Sequence, residues 1–300
     1  MDKLLDFDRL KESQVDNLLN TSFFLKGNFS RIKEKKPLSG KNILLLFLEP
    51  STRTKASFEL ACSALGANVI HVSQSDSSMT KGETLENTLK TLSSYPIDAL
   101  IIRDSKDDSA ILANSIMKCP VINAGTGRKA HPTQSLSDMM TLIEKGVKLD
   151  ELKICIVGDV QHSRVARSTI FGFTKMHSEV AICAPRYFQP NDLDMNRFTS
   201  FTSLSDALEF ADVIMALRIQ NERLQGLQID LNDYVNNFRI SKELLKKHSV
   251  KFLLHPGPVN EDVEIEKELI DSKISLIFHQ VENGFWVRAS VLMNVLEGGI

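Results

Sequence analysis

Five short segments carry side chains able to grip an anion or polarise a carbonyl, and each follows an apolar run. Ser51-Thr52-Arg53-Thr54 sets three hydroxyls and a guanidinium where apolar sequence gives way to helical spacing. Backbone N–H groups at such a helix start, joined by Arg, make a cradle for an anion such as phosphate. His131-Pro132-Thr133-Gln134 follows a loop expected at Asn123-Ala124-Gly125-Thr126-Gly127. Gly125 and Gly127 allow that loop a tight path, Pro132 suits a first helical turn, and His131 and Gln134 then fall on neighbouring faces. Gly158-Asp159-Val160-Gln161-His162-Ser163-Arg164 ends in an Arg at a helix mouth, a natural carboxylate clamp. Arg218-Ile219-Gln220 follows another apolar run, and His255-Pro256-Gly257-Pro258 is a rigid turn whose carbonyls can accept from an amide NH2. Taken singly, each segment also fits a plain structural role: a capping hydroxyl, a locally bonded His, a stiff loop.

Several other chemistries are disfavoured. The phosphate-loop pattern G-x-x-x-x-G-K-[ST] is missing, including around Gly40-Lys41, so nucleoside triphosphate binding gains no support. A dinucleotide turn would need glycines where Val160 and Ser163 stand. Cys62, Cys119, Cys155 and Cys183 form no C-x-x-C pair and lie in or beside apolar stretches, which reads as core rather than zinc or redox chemistry. No metal or cofactor is expected. With 36 Lys and Arg against 38 Asp and Glu, the net charge of -2 argues against a broad basic face for nucleic acid or an anionic membrane. That total is blind to clustering in a small pocket. The longest apolar run, residues 43–48, is far short of a membrane span, and the charged start Met1-Asp2-Lys3 lacks a signal-peptide core. A cytoplasmic protein is expected, in which Asn20-Thr21-Ser22 and Asn28-Phe29-Ser30 are chance glycosylation triplets.

The elements that must position these residues alternate strand and helix. Strands are expected at 43–48, 68–72, 99–102 and 121–122, with helices at 54–65, 83–95 and 111–117 between or after them. In the helix at 54–65, Ala56, Leu60, Ala61, Ala64 and Leu65 make the expected apolar face. A helix at 132–145 carries Leu136, Met139, Met140 and Ile143, with Gly146 as its stop. The rhythm then restarts with strands at 153–157, 180–183, 213–215 and 252–254 and helices at 165–174 and 204–210. A chain of 300 residues suits two domains of about 150. The pattern predicts an α/β fold: two doubly wound domains, each with a mainly parallel sheet flanked by helices. Their expected bounds are 1–145 and 146–284, with a last helix at about 285–300 returning to the first. In open sheets of this kind ligands collect beyond the carboxyl ends of strands, where all five segments fall.

In this order and spacing the ensemble resembles the aspartate carbamoyltransferases of the aspartate/ornithine carbamoyltransferase superfamily, over nearly the full length. The resemblance rests on the Ser51-Thr52-Arg53-Thr54 turn, Lys81-Gly82-Glu83-Thr84, Arg103, the His131–Gln134 tetrad, His162-Ser163-Arg164-Val165-Ala166, Leu217-Arg218-Ile219-Gln220 and His255-Pro256-Gly257-Pro258. Ornithine carbamoyltransferases typically carry H-P-C-Q and a Cys-Leu-Pro motif instead. The resemblance implies transfer of a carbamoyl group from carbamoyl phosphate to L-aspartate, in pyrimidine synthesis, at a site in the interdomain cleft. It implies phosphate on Ser51, Thr52, Arg53 and Thr54, with Arg103 bridging phosphate and carbonyl oxygen and with His131 and Thr54 aimed at that oxygen. Arg53, Thr54, Arg103 and His131 are thus the implied catalytic set. Gln134 and the backbone of Pro256, Gly257 and Pro258 would hold the carbamoyl NH2. Arg164, Arg218, Gln220 and Lys81 would grip aspartate, with Ser77 and Lys81 reaching a neighbouring subunit's site in a homotrimer. A separate regulatory chain is compatible with such an assembly.

Two positions depart from the family pattern: Thr126 where Asp is usual, and Glu261 where Arg is usual. Both bear on domain closure, as would an ion pair between Arg223 and Glu49. Competing readings are a carbamoyltransferase for another amino acid such as ornithine, a silent structural paralogue, and an oxidoreductase. Two cationic side chains besides Lys81 favour a dicarboxylate over ornithine, the intact anion-binding residues oppose a silent chain, and the absent glycines oppose the oxidoreductase.

Overall fold

A computed structural model of the chain describes residues 1, 3–75, 77–219 and 231–298. It divides into two compact units, one of Met1–Met140 with Val281–Ile300 and the other of Thr141–Gln280.

Unit 1 opens with α1 (Glu12–Gly27) and α2 (Phe29–Lys35). It continues through β1 (Asn42–Phe47), α3 (Thr52–Leu65), β2 (Asn68–Ser73), α4 (Leu85–Leu92), β3 (Ala99–Asp104), α5 (Ser109–Ile116), β4 (Val121–Thr126) and α6 (Pro132–Glu144). Its sheet has the order β2-β1-β3-β4, with every pairing parallel. The near-continuous apolar runs of β1 and β3 are buried along their length, as strands covered on both faces require.

Unit 2 runs β5 (Lys153–Val157), α7 (Arg164–Lys175), β6 (Glu179–Cys183), β7 (Thr199–Phe201), α8 (Leu204–Phe210), β8 (Val213–Ala216), α9 (Leu231–Phe238), α10 (Lys242–Lys247) and β9 (Phe252–Leu254). Its parallel sheet is ordered β7-β6-β5-β8-β9. The final helix, α11 (Ile277–Leu296), starts in unit 2 and ends in unit 1; α6 likewise contains the other division point. The strand orders make both units doubly wound α/β sheets, as the β-then-α rhythm predicts.

Several elements differ from the sequence reading. The apolar stripe Val15, Leu18, Leu19 and Leu25 makes α1 an amphipathic helix that the strand–helix rhythm did not include. α2, β7, α9 and α10, all of eight residues or fewer, were also missed. The buried face of α3 is Phe58, Ala61, Cys62 and Leu65, whereas Ala56 and Leu60 of the expected stripe point outward, Leu60 being 61% exposed. Both faces of that helix carry small or apolar residues, so periodicity alone did not choose between them. The expected 123–127 loop is instead the end of β4, because Asn123 ties it down. Its Oδ1 accepts from Gly125 N at 2.8 Å and its Nδ2 donates to Thr126 Oγ1 at 3.0 Å. The helix expected at 83–95 is trimmed to α4, where Thr84 caps Asn87 N at 3.2 Å.

α11 begins at Ile277 rather than near 285. Gly284 lies inside the helix, where a Cβ would collide with Nη1 of Arg288. Cys62, Cys155 and Cys183 are buried and Cys119 half-buried. Burial pushes the Cys62 and Cys183 thiols up to about 12, with nearby carboxylates adding to the effect, so both stay protonated and inert.

Candidate functional site

Each sheet reverses its winding at one point: between β1 and β3 in unit 1, and between β5 and β8 in unit 2. Chains leaving adjacent strands there diverge to opposite faces and open a crevice at the carboxyl ends. β1 leads to Glu49-Pro50-Ser51 and α3, while Arg103 stands near the end of β3. β5 leads to Gly158-Asp159 and α7, while β8 leads to Leu217-Arg218. Local winding therefore puts the residues expected to grip anions at the two switch points.

In unit 1, Ser51 occupies the N-cap of α3 with extended φ and ψ of -160° and 109°, but its side chain makes no capping bond. The first-turn N–H groups are thus left without a side-chain cap, and Thr52 and Arg53 are exposed beside them. Thr54 is buried, its Oγ1 3.4 Å from Nε2 of buried His131, and Nδ1 of that ring lies 3.5 Å from Thr133 Oγ1. Arg103 is anchored on two sides. Its Nη2 pairs with Glu49 Oε1 at 2.8 Å, and its Nη1 donates to the Ala124 carbonyl at 3.2 Å. Gln134, in the first turn of α6, donates from Nε2 to Asp138 Oδ1 at 2.9 Å.

Beneath this cluster lies Arg288 of α11, only 3% exposed, with its guanidinium 5.5 Å from the Phe58 ring centre of α3. Burial and the like charge of Arg103 lower its pKa to about 9, with Asp138 opposing them. Arg53, Arg103 and Arg288 thus bring cationic charge to one end of the unit 1 sheet. Ser77 and Lys81 stand on a separate turn, Ser78–Lys81, where Ser77 Oγ donates to Gln74 O at 3.1 Å and Lys81 is exposed. Among the described residues no bond joins either of them to the mouth of α3.

Unit 2 is built differently. Ser163 caps α7 by accepting from Ala166 N at 3.1 Å, and Arg164 follows in the first turn, 8% exposed. Just before it, His162 Nδ1 lies 2.9 and 3.1 Å from the two oxygens of fully buried Asp159. Arg218, beyond β8, is half-buried. The next residue is fixed by Glu264, whose Oε1 accepts from Ile219 N at 2.7 Å and from Asn260 Nδ2 at 2.7 Å. Glu264 Oε2 accepts from Asn260 N at 2.9 Å, and Asn260 Nδ2 also donates to Ile219 O at 3.1 Å. Burial raises the Glu264 carboxyl pKa, against the pull of these donors. One carboxylate therefore ties the Arg218 loop to the segment after Pro258.

The His255–Pro258 turn is fixed from within. Gly257 has φ 65°, which suits glycine, and its N–H donates to His255 Nδ1 at 2.9 Å. His255 N in turn donates to Gln280 Oε1 at 2.9 Å. Since Nδ1 accepts, a neutral His255 carries its proton on Nε2.

Gln220 and Arg223 lie outside the described residues, so the expected Glu49–Arg223 pair falls there too; Glu49 pairs with Arg103. Thr126 is buried against Asn123, and Glu261 pairs with Lys267 at 2.8 Å on the surface. The sequence reading missed Asp138, Arg288, Asp159 and Glu264. Only Asp138 left a usable signal, standing one helical turn beyond Gln134 on the same face. Among the described residues there is no group of three His, Cys, Asp or Glu side chains suited to a metal, and no helix long and apolar enough to cross a membrane.

The family model for the aspartate/ornithine carbamoyltransferase carbamoyl-P binding domain matches residues 3–144, and that for the Asp/Orn binding domain matches residues 150–295. The chain belongs to the aspartate/ornithine carbamoyltransferase family. Within that family, it is 44% identical over 292 residues to an aspartate carbamoyltransferase catalytic subunit from Acetivibrio thermocellus, covering 96% of this chain and 94% of the relative. Its fold is similar to that of ornithine carbamoyltransferase from Pyrococcus furiosus, with TM-score 0.88 and 26% identity, covering 100% of this chain and 98% of the other. It is also similar to aspartate transcarbamoylase from Trypanosoma cruzi solved with carbamoyl aspartate and phosphate, with TM-score 0.87 and 25% identity, covering 98% and 96%. The second family model continues through residue 295, whereas the end of α11 packs as part of unit 1.

Proposed function

We propose that the chain transfers the carbamoyl group of carbamoyl phosphate to the amine of L-aspartate, releasing phosphate and N-carbamoyl-L-aspartate in pyrimidine synthesis in the cytoplasm. The observation that carries this reading is the uncapped α3 mouth with Arg53 and Arg103 beside the Thr54–His131 pair, in a chain 44% identical to an aspartate carbamoyltransferase. The Trypanosoma cruzi neighbour, solved with carbamoyl aspartate and phosphate, supports it.

In this reading phosphate rests on Ser51, Thr52, Arg53, Thr54 and Arg103, and unit 1 takes carbamoyl phosphate. The neutral amine of aspartate attacks the carbamoyl carbon, and charge builds on the carbonyl oxygen before phosphate leaves. Thr54, Arg103 and His131 meet that charge; one donor of this kind is worth about 3–4 kcal/mol in comparable oxyanion sites. Gln134 and the backbone at Gly257 and Pro258 hold the carbamoyl NH2, and departing phosphate accepts the amine proton, so His131 need not act as a base. Arg164, Arg218, Gln220 and Lys81 bind the two aspartate carboxylates, two guanidinium forks matching two carboxylates. Holding both substrates together makes the attack effectively unimolecular.

The test is a product assay with carbamoyl phosphate and, separately, L-aspartate, ornithine and acetylornithine. N-carbamoyl-L-aspartate as the product is expected; turnover of ornithine alone would overturn the reading. We further propose a homotrimer in which Ser77 and Lys81 serve a neighbouring subunit's site. Native mass measurement tests the trimer, and with candidate regulatory chains added it tests their binding. Mixed trimers of Lys81→Ala and Arg53→Ala subunits should regain activity, and verified mixed trimers without it would exclude shared sites.

A further inference from the structure

Gln134 donates through Nε2 to Asp138 Oδ1 at 2.9 Å, one helical turn along α6. Asp138 is fully buried and Gln134 only partly so. A carboxylate accepts and does not donate, so it dictates which end of the neighbouring amide faces it. With the NH2 end turned to Asp138, Gln134 presents Oε1 in the other direction.

The carboxylate has its own electrostatic partner in Arg288, whose attraction to Asp138 is opposed by the like charge of Arg103. Arg288 is packed on two sides. It lies over the Phe58 ring, and Gly284, one turn earlier on α11, leaves the space that its Nη1 occupies. Attraction between buried charges is a weak source of stability, because desolvation offsets most of it. Its use here is directional.

We propose that Asp138 is a positioning residue that locks the Gln134 amide with Oε1 outward, so that the site selects a phosphorylated substrate bearing an N–H donor. This rests on the reading that carbamoyl phosphate is the substrate and that Gln134 meets its NH2. With Oε1 outward, the carbamoyl N–H finds an acceptor; with the amide reversed, two NH2 groups would face each other. An acyl phosphate with a methyl group in that place leaves Oε1 unpaired, which is how buried polar groups reject analogues lacking their partner.

The experiment compares kcat/KM for carbamoyl phosphate and acetyl phosphate, with L-aspartate saturating, in the wild type, Asp138→Asn, Gln134→Ala and the double variant. In Asp138→Asn the acceptor-only carboxylate becomes an amide that can present either an oxygen or an NH2, so the Gln134 amide is no longer held in one orientation. The carbamoyl-to-acetyl preference should then fall about tenfold or more, the worth of one hydrogen bond. Gln134→Ala should show the same loss, and adding Asp138→Asn to it should change the preference no further. An unchanged preference in Asp138→Asn, or an equal extra loss in the Gln134→Ala background, would overturn the proposal. Failure of the wild type to make N-carbamoyl-L-aspartate would instead overturn the substrate reading, before any variant is considered. If Asp138→Asn does not fold, the wild-type protein decides. Its Gln134 Nε2 proton signals, assigned by their loss in Gln134→Ala, should barely move when carbamoyl phosphate is added, and a large shift would show that NH2 faces the substrate.

Discussion

The mouths of α3 and α7 start from the same design and end differently. Each follows a strand beside a switch point, and each has Ser at the N-cap. Ser163 accepts from the backbone of its own helix at 3.1 Å; Ser51 does not. Arg164 is 8% exposed, whereas Arg53 is exposed. In unit 2 the helix is satisfied internally, and what the mouth offers is a guanidinium set by its surroundings. In unit 1 the first-turn donors have no side-chain cap, which leaves them able to meet an outside anion. A compact tetrahedral anion such as phosphate suits several converging N–H groups, while a planar carboxylate suits an Arg fork. The two otherwise alike turns thus differ in one side-chain hydrogen bond and in how deeply the Arg beside it is buried.

Arg53→Ala gives the largest expected effect. Removing one charged donor from the α3 mouth should lower kcat/KM for carbamoyl phosphate by about 10²–10³-fold. Because Arg53 is exposed, the thermal midpoint should stay close to the wild-type value, and unchanged turnover would remove this mouth from the site.

Glu264→Gln probes the internal fixing of unit 2. It puts an NH2 against the N–H of either Ile219 or Asn260, the remaining oxygen keeping the other, at an expected cost of about 1–3 kcal/mol in stability. Since Ile219 adjoins Arg218, KM for aspartate should rise more than KM for carbamoyl phosphate. An equal rise in both would mean that Glu264 supports the fold and does not aim Arg218.

The serines offer a crossed comparison. Ser163→Ala should cost about 1 kcal/mol in stability, the usual worth of an N-cap. Ser51→Ala should cost less than about 0.5 kcal/mol and instead raise KM for carbamoyl phosphate. Equal losses of stability by urea unfolding would erase the contrast between the two mouths.

The smallest effect is alkaline. Cys62 in unit 1 and Cys183 in unit 2 are raised to about 12 when folded, against 9.0 for an ordinary thiol. The folded state therefore holds more protons than the unfolded chain between those values, and stability falls as pH rises through that window. Urea midpoints should decline from about pH 9 upward, less steeply in Cys62→Ala. A midpoint rising with pH would contradict the burial of these thiols. Tyr234, also raised by burial, acts with the same sign.

Much of the fold was legible because parallel strands covered on both faces read as unbroken apolar runs, as in β1 and β5. α3 shows where that reading stops. Its existence followed from Ser51 and the helical spacing, but its buried face is Phe58, Ala61, Cys62 and Leu65, chosen by packing. The candidate site divides similarly. Residues at strand ends announced themselves by type, whereas Asp159, Glu264 and Arg288 look like ordinary charged residues until their burial is known. Arg288 and Arg103 feel each other's charge from opposite parts of the chain, and no local pattern links them.

The sequence by itself determined the alternation of the main strands and helices, the two-sheet architecture, and which hydroxyls and arginines stand at strand ends. These follow from side-chain periodicity and from the local preferences of Gly, Pro and Ser, which act over a few residues. Only the tertiary structure decided that Ser163 caps its helix and Ser51 does not, that Arg103 pairs with Glu49, and that Gln134 turns its NH2 to Asp138. Each depends on which groups are removed from water together. Burial forces a polar group to find its partner wherever the fold has brought one, however distant in the chain.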